Sequence, residues 1–101
     1  MNTKSSEKDN LDVMRKIGQG RNKSQRKMAK ELGISLGKLN YCLNALKKKG
    51  LIKFNNFTKN PNKSKYFYIL TPRGIKEKTK LTVTFMKRMM KEYDELKKDL
   101  D

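Results

Sequence analysis

The sequence contains no histidine and no tryptophan, and its 101 residues include one cysteine and two prolines. Such a chain cannot close a disulfide within itself, and it offers neither a conventional zinc site nor a Ser/His or Cys/His catalytic pair. These absences argue against an enzyme and predict that the chain uses no metal or other cofactor.

Acidic residues are scarce: 10 Asp and Glu stand against 26 Lys and Arg, which gives a net charge of +16. Between Asp12 and Glu77 the only acid is Glu31. The acids crowd instead at the end of the chain, as Glu92, Asp94, Glu95, Asp99 and Asp101. This balance predicts a polyanionic partner that meets the first three-quarters of the chain.

Long apolar runs are also missing. The opening "MNTKSSEKDN" has no apolar core, and no run approaches the roughly 18 apolar residues of a membrane span. We therefore expect neither a signal peptide nor a membrane anchor, and a cytoplasmic, nucleoid-associated protein. A chain of this length, 35% hydrophobic, suffices for one modest core without a large enclosed active site.

Three helices are predicted before residue 50. The first begins near Ser6 and ends near Gly18, with apolar residues at helical spacing between them. The second begins after Ser24 as N-cap and ends at Gly33, which suits a left-handed residue. Ser35 can cap a third helix two residues later, so a tight turn joins the second and third helices.

The third helix is predicted to have two unlike faces. Its inward stripe is Leu36, Leu39, Leu43 and Leu46, with Cys42 and Ala45 beside them. The outward face is Gly37, Lys38, Asn40, Tyr41, Asn44, Lys47 and Lys48. That face has no acid, and its amide, phenol and ammonium groups can meet base edges and phosphates. Gly37, in the first turn, lets another backbone approach closely.

Two β-prone runs follow, "LIKFNNF" and "YFYIL", separated by the basic "TKNPNKSK". They predict a hairpin with a cationic tip. Thr71 as N-cap and Pro72 at the first helical position then open a helix that can extend to Leu100. Along it, apolar and threonine residues recur at alternating four- and three-residue steps, as Ile75, Thr79, Thr82, Met86, Met89, Tyr93, Leu96 and Leu100. This heptad seam predicts a homodimer interface.

The succession of elements predicts a mainly α fold with a small β-hairpin, a winged helix-turn-helix. We expect a DNA-binding domain over residues 1–71 and a long, coiled-coil-like C-terminal dimerisation helix over residues 72–101. Two such domains related by two-fold symmetry would bind double-stranded DNA at a palindromic operator. The sequence thus predicts a sequence-specific transcriptional regulator.

The stretches "SQRKMAKELGISLGKLNYCLNALKKKGLIK" and "YFYILTPRGI" resemble the MarR-type winged-helix regulators, and most closely their small exopolysaccharide-associated branch. The resemblance implies that a recognition helix at about residues 35–49 contacts DNA through Ser35, Gly37, Lys38, Asn40, Tyr41 and Asn44. It implies that a wing at about residues 58–66 does so through Lys59, Lys63 and Lys65. Further candidate DNA contacts are Ser24, Gln25, Arg26 and Lys48. Larger relatives have additional helices and often a pocket for phenolic ligands, for which this chain has little room, so no small-molecule effector is evident.

Several alternatives remain open at the level of sequence. An architectural, largely non-specific chromatin-type protein has the same features, and a protein-binding winged-helix adaptor or an RNA-binding protein fits them less well. Cys42 is interpreted as a core thiol rather than a redox switch, and the aromatic residues of "YFY" as mostly structural. The lysines at residues 47–49 suit phosphate contact and helix-end solubility equally.

Overall fold

The computed structural model describes residues 7–19, 24–55 and 67–100, and it has the predicted order of elements. Four helices and two strands follow one another as α1 (Glu7–Gly18), α2 (Gln25–Leu32), α3 (Leu36–Lys48), β1 (Ile52–Asn55), β2 (Phe67–Leu70) and α4 (Pro72–Lys98). The strands pair antiparallel, with Ile52 opposite Leu70 and Phe54 opposite Tyr68. The mainly α fold with a small hairpin is therefore confirmed.

The helix ends are set by the residues that the sequence singled out. The Ser24 hydroxyl accepts a hydrogen bond from the Lys27 amide at 3.2 Å and caps α2, which ends at Gly33 with a φ of 69°. A second left-handed glycine, Gly50, has a φ of 73° and turns the chain from α3 into β1. Thr71 caps α4, and Pro72 stands in its first turn. The predicted cap of α1, Ser6, lies outside the described residues.

The core lies where α1, α2, α3 and β1 meet. Its fully buried side chains are Val13, Met14, Leu39, Cys42, Leu43, Leu46 and Ile52. The prediction that Leu36 belongs to the inward stripe is wrong, because Leu36 is 37% exposed. Leu36 is the first residue of α3, and Ile34 from the preceding turn packs against the core at this end of the helix. Cys42 is buried and is not part of a disulfide, as a core thiol should be.

The start of α4 is fixed against the winged domain by a close backbone approach. The Thr71 hydroxyl donates to the Gly50 carbonyl at 2.6 Å and accepts from the Gly74 amide at 3.0 Å. A Cβ atom at Gly74 would overlap the Leu51 carbonyl oxygen, so only glycine permits this approach. Farther along, Leu81 packs against the core. The first third of α4 is therefore a structural part of the winged domain.

Beyond that contact α4 leaves the core. The helix has 27 residues and a length of about 40 Å at 1.5 Å per residue, and the chain measures 59 × 27 × 24 Å. None of the described helices is long and apolar enough to cross a membrane.

Candidate nucleic-acid interface

Helix α3 is held on the surface of the winged domain with one face outward. The Ser35 hydroxyl accepts from the Lys38 amide at 3.1 Å and caps its first turn. Its buried residues, Leu39, Cys42, Leu43 and Leu46, fix the rotation of the helix about its own axis. Because these four anchor the inner face, the side chains on the opposite face must point away from the core.

The outward face brings together most of the predicted contact residues of α3. Gly37, Asn40, Tyr41, Asn44, Lys47 and Lys48 are all exposed. Helix α3 contains no carboxylate, so every charge on this face is positive. A Cβ atom built at Gly37 meets nothing within 4 Å, so the backbone is open to solvent there. The face therefore combines amide and phenol groups near its N-terminal half with ammonium groups near its C-terminal end.

Lys38 lies at the flank of this face rather than at its centre. Its ammonium forms an ion pair with the carboxylate of Asp9 in α1, at 3.1 Å. A second ion pair, between Lys16 and Glu31 at 3.0 Å, joins α1 to α2. Such partly exposed pairs contribute little to stability, about 0–1 kcal/mol. The Asp9 contact does orient Lys38, and it competes with any phosphate for that ammonium.

The candidates in α2 form a separate group at the start of that helix. Ser24 and Arg26 are exposed, and Gln25 is half-buried. Ser24 already uses its hydroxyl as the N-cap of α2. Of these three residues, Arg26 is therefore the one that is both positively charged and exposed to solvent. The wing candidates Lys59, Lys63 and Lys65 lie outside the described residues, so their role stays a prediction.

Lys47, which the sequence left undecided, is held in a defined position. Its Nζ atom lies 4.7 Å from the centroid of the Phe54 ring on β1, and that ring packs against Tyr68 on β2 with centroids 4.4 Å apart. Burial raises the pKa of the Tyr68 phenol. Strand alternation puts Phe54 on the same face of β1 as Ile52, but it does not predict the contact with Lys47. The cluster joins the last turn of α3 to the hairpin.

The predicted dimer seam on α4 is largely exposed. Met86, Met89, Tyr93 and Leu96 are each more than half exposed, and Ile75 is 56% exposed. Thr82 is half-buried. Among the described residues, no group of His, Cys, Asp and Glu could hold a metal ion.

Residues 14–53, from α1 to β1, match the family model described as winged helix-turn-helix DNA-binding. No curated protein matches the chain in sequence. The match covers the helix-turn-helix and the outward face of α3. The matched model thus describes a DNA-binding helix-turn-helix over 40 of the 101 residues.

The fold is similar to those of several solved regulators. Staphylococcus aureus MarR, in complex with salicylate and kanamycin, has a TM-score of 0.65 and 19% identity over 85% of this chain and 56% of its own. The PcaV transcriptional regulator from Streptomyces coelicolor gives 0.66 and 17%, over 83% and 57% of the two chains. Streptococcus pneumoniae FabT, in complex with DNA, gives 0.60 and 23%, over 85% and 58%.

The chain therefore spans a little over half the length of these three regulators. The resemblance to MarR-type proteins is confirmed at the level of the fold. The closer likeness to the exopolysaccharide-associated branch stays a prediction.

Proposed function

We propose that the protein is a transcriptional regulator that binds double-stranded DNA in a sequence-specific manner, as a homodimer on a palindromic operator. The observation that carries the proposal is the exposed, acid-free outer face of α3, in a chain whose residues 14–53 match a DNA-binding helix-turn-helix family. In this fold class the corresponding helix enters the major groove, and its N-terminal residues contact base edges.

The outer face assigns different roles along α3. Asn40 and Tyr41 lie in the half that would enter the groove, and an amide can form a bidentate pair with adenine. Lys48, in the last turn, is exposed and fits a phosphate contact. The wing lysines Lys59, Lys63 and Lys65 are proposed as further backbone contacts, on the sequence alone.

The decisive experiment is selection of binding sites from random duplex DNA. We expect enrichment of a palindrome with half-sites about one helical turn, roughly 34 Å, apart. Asn40→Ala should then lose about 1–3 kcal/mol of discrimination at one base pair of each half-site. Lys48→Ala serves as the matched control on the same helix, and it should weaken selected and random DNA alike. Equal enrichment of all sequences would contradict the proposal.

Salt dependence tests the electrostatic part of the mechanism. Two subunits would neutralise on the order of 6–10 phosphates, so affinity should fall steeply between low and physiological salt. An affinity that does not change over this range would rule out the proposed basic interface.

An architectural DNA-binding protein is the second candidate, favoured by the high positive charge of the chain. It predicts the same salt dependence but nearly equal affinity for selected and random duplex. The ratio of these two affinities separates the candidates, because only a sequence reader gains from the correct bases.

The homodimer rests on the exposed seam of α4. Because Leu81 packs against the core, removing all of α4 after Thr79 would disturb the winged domain as well as the seam. A sharper test is Met89→Glu, since Met89 is 68% exposed and its replacement leaves the monomer core intact. We expect sedimentation equilibrium to show a dimer for the original chain and a monomer for the variant. Lys91→Glu, on the opposite side of the helix, is the control and should remain dimeric.

A further inference from the structure

The outer part of α4 carries an apolar row with no described element of the chain packed over it. Met86, Met89, Tyr93 and Leu96 are 56%, 68%, 65% and 61% exposed. A row of this length in water is typical of an interface. Resting on the homodimer proposed above, we propose that the row is covered by α4 of a second copy running antiparallel, with the two-fold axis between Met86 and Met89.

The spacing of the seam supports this arrangement because its order of three- and four-residue steps is the same counted from either end of the helix. With the axis between Met86 and Met89, every position faces a seam position of the other copy. The pairs are Met86 with the partner's Met89, Thr82 with the partner's Tyr93, Thr79 with the partner's Leu96, and Ile75 with the partner's Leu100. No seam residue is left without an opposite residue.

The size of the opposed side chains also favours this register. The two seam threonines, Thr79 and Thr82, face the partner's Leu96 and the partner's Tyr93. In these two layers, a small side chain therefore packs against a large one. In a parallel pair each threonine would meet the same threonine, and the two Tyr93 rings would meet each other. Alternating small and large side chains pack a helix interface more evenly.

Charge along α4 is strongly asymmetric. Residues 73–91 carry seven cations and one acid, whereas residues 92–100 carry four acids and two cations. An antiparallel pair places the acidic end of each copy beside the basic part of the other, with Lys78 near the partner's Asp99 and one like-charge pair, Lys76 near the partner's Lys97. A parallel pair would stack the two basic segments side by side, and like charges at such short range repel. It would gain only the contact of Glu92 with the partner's Lys97.

The position of the winged domain on α4 agrees with this orientation. The domain packs on the first third of the helix, through Gly74 and Leu81. In the antiparallel pair the two Thr79 residues would lie about 26 Å apart along the coil, at 1.5 Å per residue. The residues that anchor the two winged domains would lie about 40 Å apart at Gly74 and about 20 Å apart at Leu81, a range that includes the roughly 34 Å between successive major-groove faces. One duplex running along the coil could meet both.

Cysteine cross-linking of mixed variants tests the orientation. Thr79→Cys and Leu96→Cys proteins are unfolded together, refolded and oxidised, and the native Cys42 does not interfere because it is buried. We expect a disulfide-linked heterodimer in the mixture, because these positions face each other. Leu96→Cys alone should give at most about a tenth as much linked product, since its two copies would be about 26 Å apart, beyond any disulfide.

Each outcome decides one point. Linked product from Leu96→Cys alone would show a parallel pair and overturn the proposal. A dimer by sedimentation equilibrium that gives no linked product in the mixture would show that the copies pair through another surface, and it would overturn the orientation while leaving the homodimer intact. A monomer by the same measurement would overturn the homodimer itself.

Discussion

Gly37→Ala is expected to raise the stability of the fold and to lower its affinity for DNA. Gly37 is the second residue of α3, it is exposed, and its φ is not positive. A Cβ atom there meets nothing within 4 Å. The methyl group therefore has room in the free protein, and alanine restricts the unfolded chain more than glycine does. We expect a gain of about 0.5–1 kcal/mol in the free energy of unfolding.

In the complex the same methyl group would project into the surface that meets DNA. If the backbone of α3 approaches the duplex at Gly37, an added carbon forces a shift that costs about 1–3 kcal/mol, the range measured for overpacked contacts. Affinity for the selected operator should then fall by roughly 5- to 140-fold, since about 1.4 kcal/mol corresponds to a factor of ten. The opposite signs of the two effects separate contact with DNA from damage to the fold.

Two matched variants complete the measurement. Gly33→Ala makes the same chemical change at a position with a φ of 69°, so it should lower stability by about 1–2 kcal/mol. Thr84→Ala adds a good helix former on α4 and should leave DNA affinity unchanged. Urea denaturation gives the stabilities and fluorescence anisotropy with a labelled operator gives the affinities. A Gly37→Ala protein that is more stable and binds as tightly as the original chain would refute the close approach of α3 at this residue.

Three further changes test contacts elsewhere in the fold. Phe54→Leu removes the ring beneath the Lys47 ammonium, an interaction of about 0.5–1 kcal/mol at an exposed site. DNA affinity measured by anisotropy should therefore fall about two- to fivefold. The same loss in a Lys47→Gln background would show that Phe54 does not act through Lys47. Gly74→Ala should lower the free energy of unfolding by about 3 kcal/mol in urea, because the new Cβ overlaps the Leu51 carbonyl, and an unchanged midpoint would contradict the close backbone approach. Tyr68→Phe tests the raised pKa of the Tyr68 phenol. The phenol's contribution to stability is present below the ordinary tyrosine pKa and is lost as the pH rises through the pKa of Tyr68 in the folded protein. The original chain should therefore lose more stability above pH 10 than the variant does.

Much of the fold follows from local signals in the sequence. Ser24, Ser35 and Thr71 each accept the capping hydrogen bond for which their position in the sequence suited them. Gly33 has the left-handed conformation that ended the second helix. These features depend on a few neighbouring residues, so the sequence alone contains the cause of each.

Contacts between distant elements were harder to predict. Leu36 satisfies the helical spacing of the inward stripe, but it is 37% exposed in the first turn of α3, whereas Ile34 from the preceding turn packs against the core. The ion pair between Lys38 and Asp9 joins residues of two helices, and no local sequence pattern predicts it. The same holds for Lys47 above Phe54, because that contact depends on the angle at which the hairpin leaves α3. Periodicity identifies the face of a helix, and packing decides which residues at its edges are covered.

The role of Gly74 was missed for the same reason. The sequence places it three residues after the cap of α4, where it reads as an ordinary first-turn residue. Its necessity comes from the Leu51 carbonyl, which lies in another part of the chain and meets the helix only in the folded structure. A glycine in the first turn of a helix permits a close approach of two backbones, but the sequence does not show whether one occurs, as the open surroundings of Gly37 illustrate.

The placement of the acids decides which end of the molecule can approach DNA. Helix α3 has none, and the nearest acids that the structure describes, Asp9 and Glu31, each hold a lysine in an ion pair. The four acids of residues 92–100 lie on the part of α4 that has left the core. Each carboxylate close to a phosphate would raise the free energy of the complex, so the duplex is favoured on the side of α3. Asp9 and Glu31 are thereby paired with lysines on the side of the molecule that presents α3.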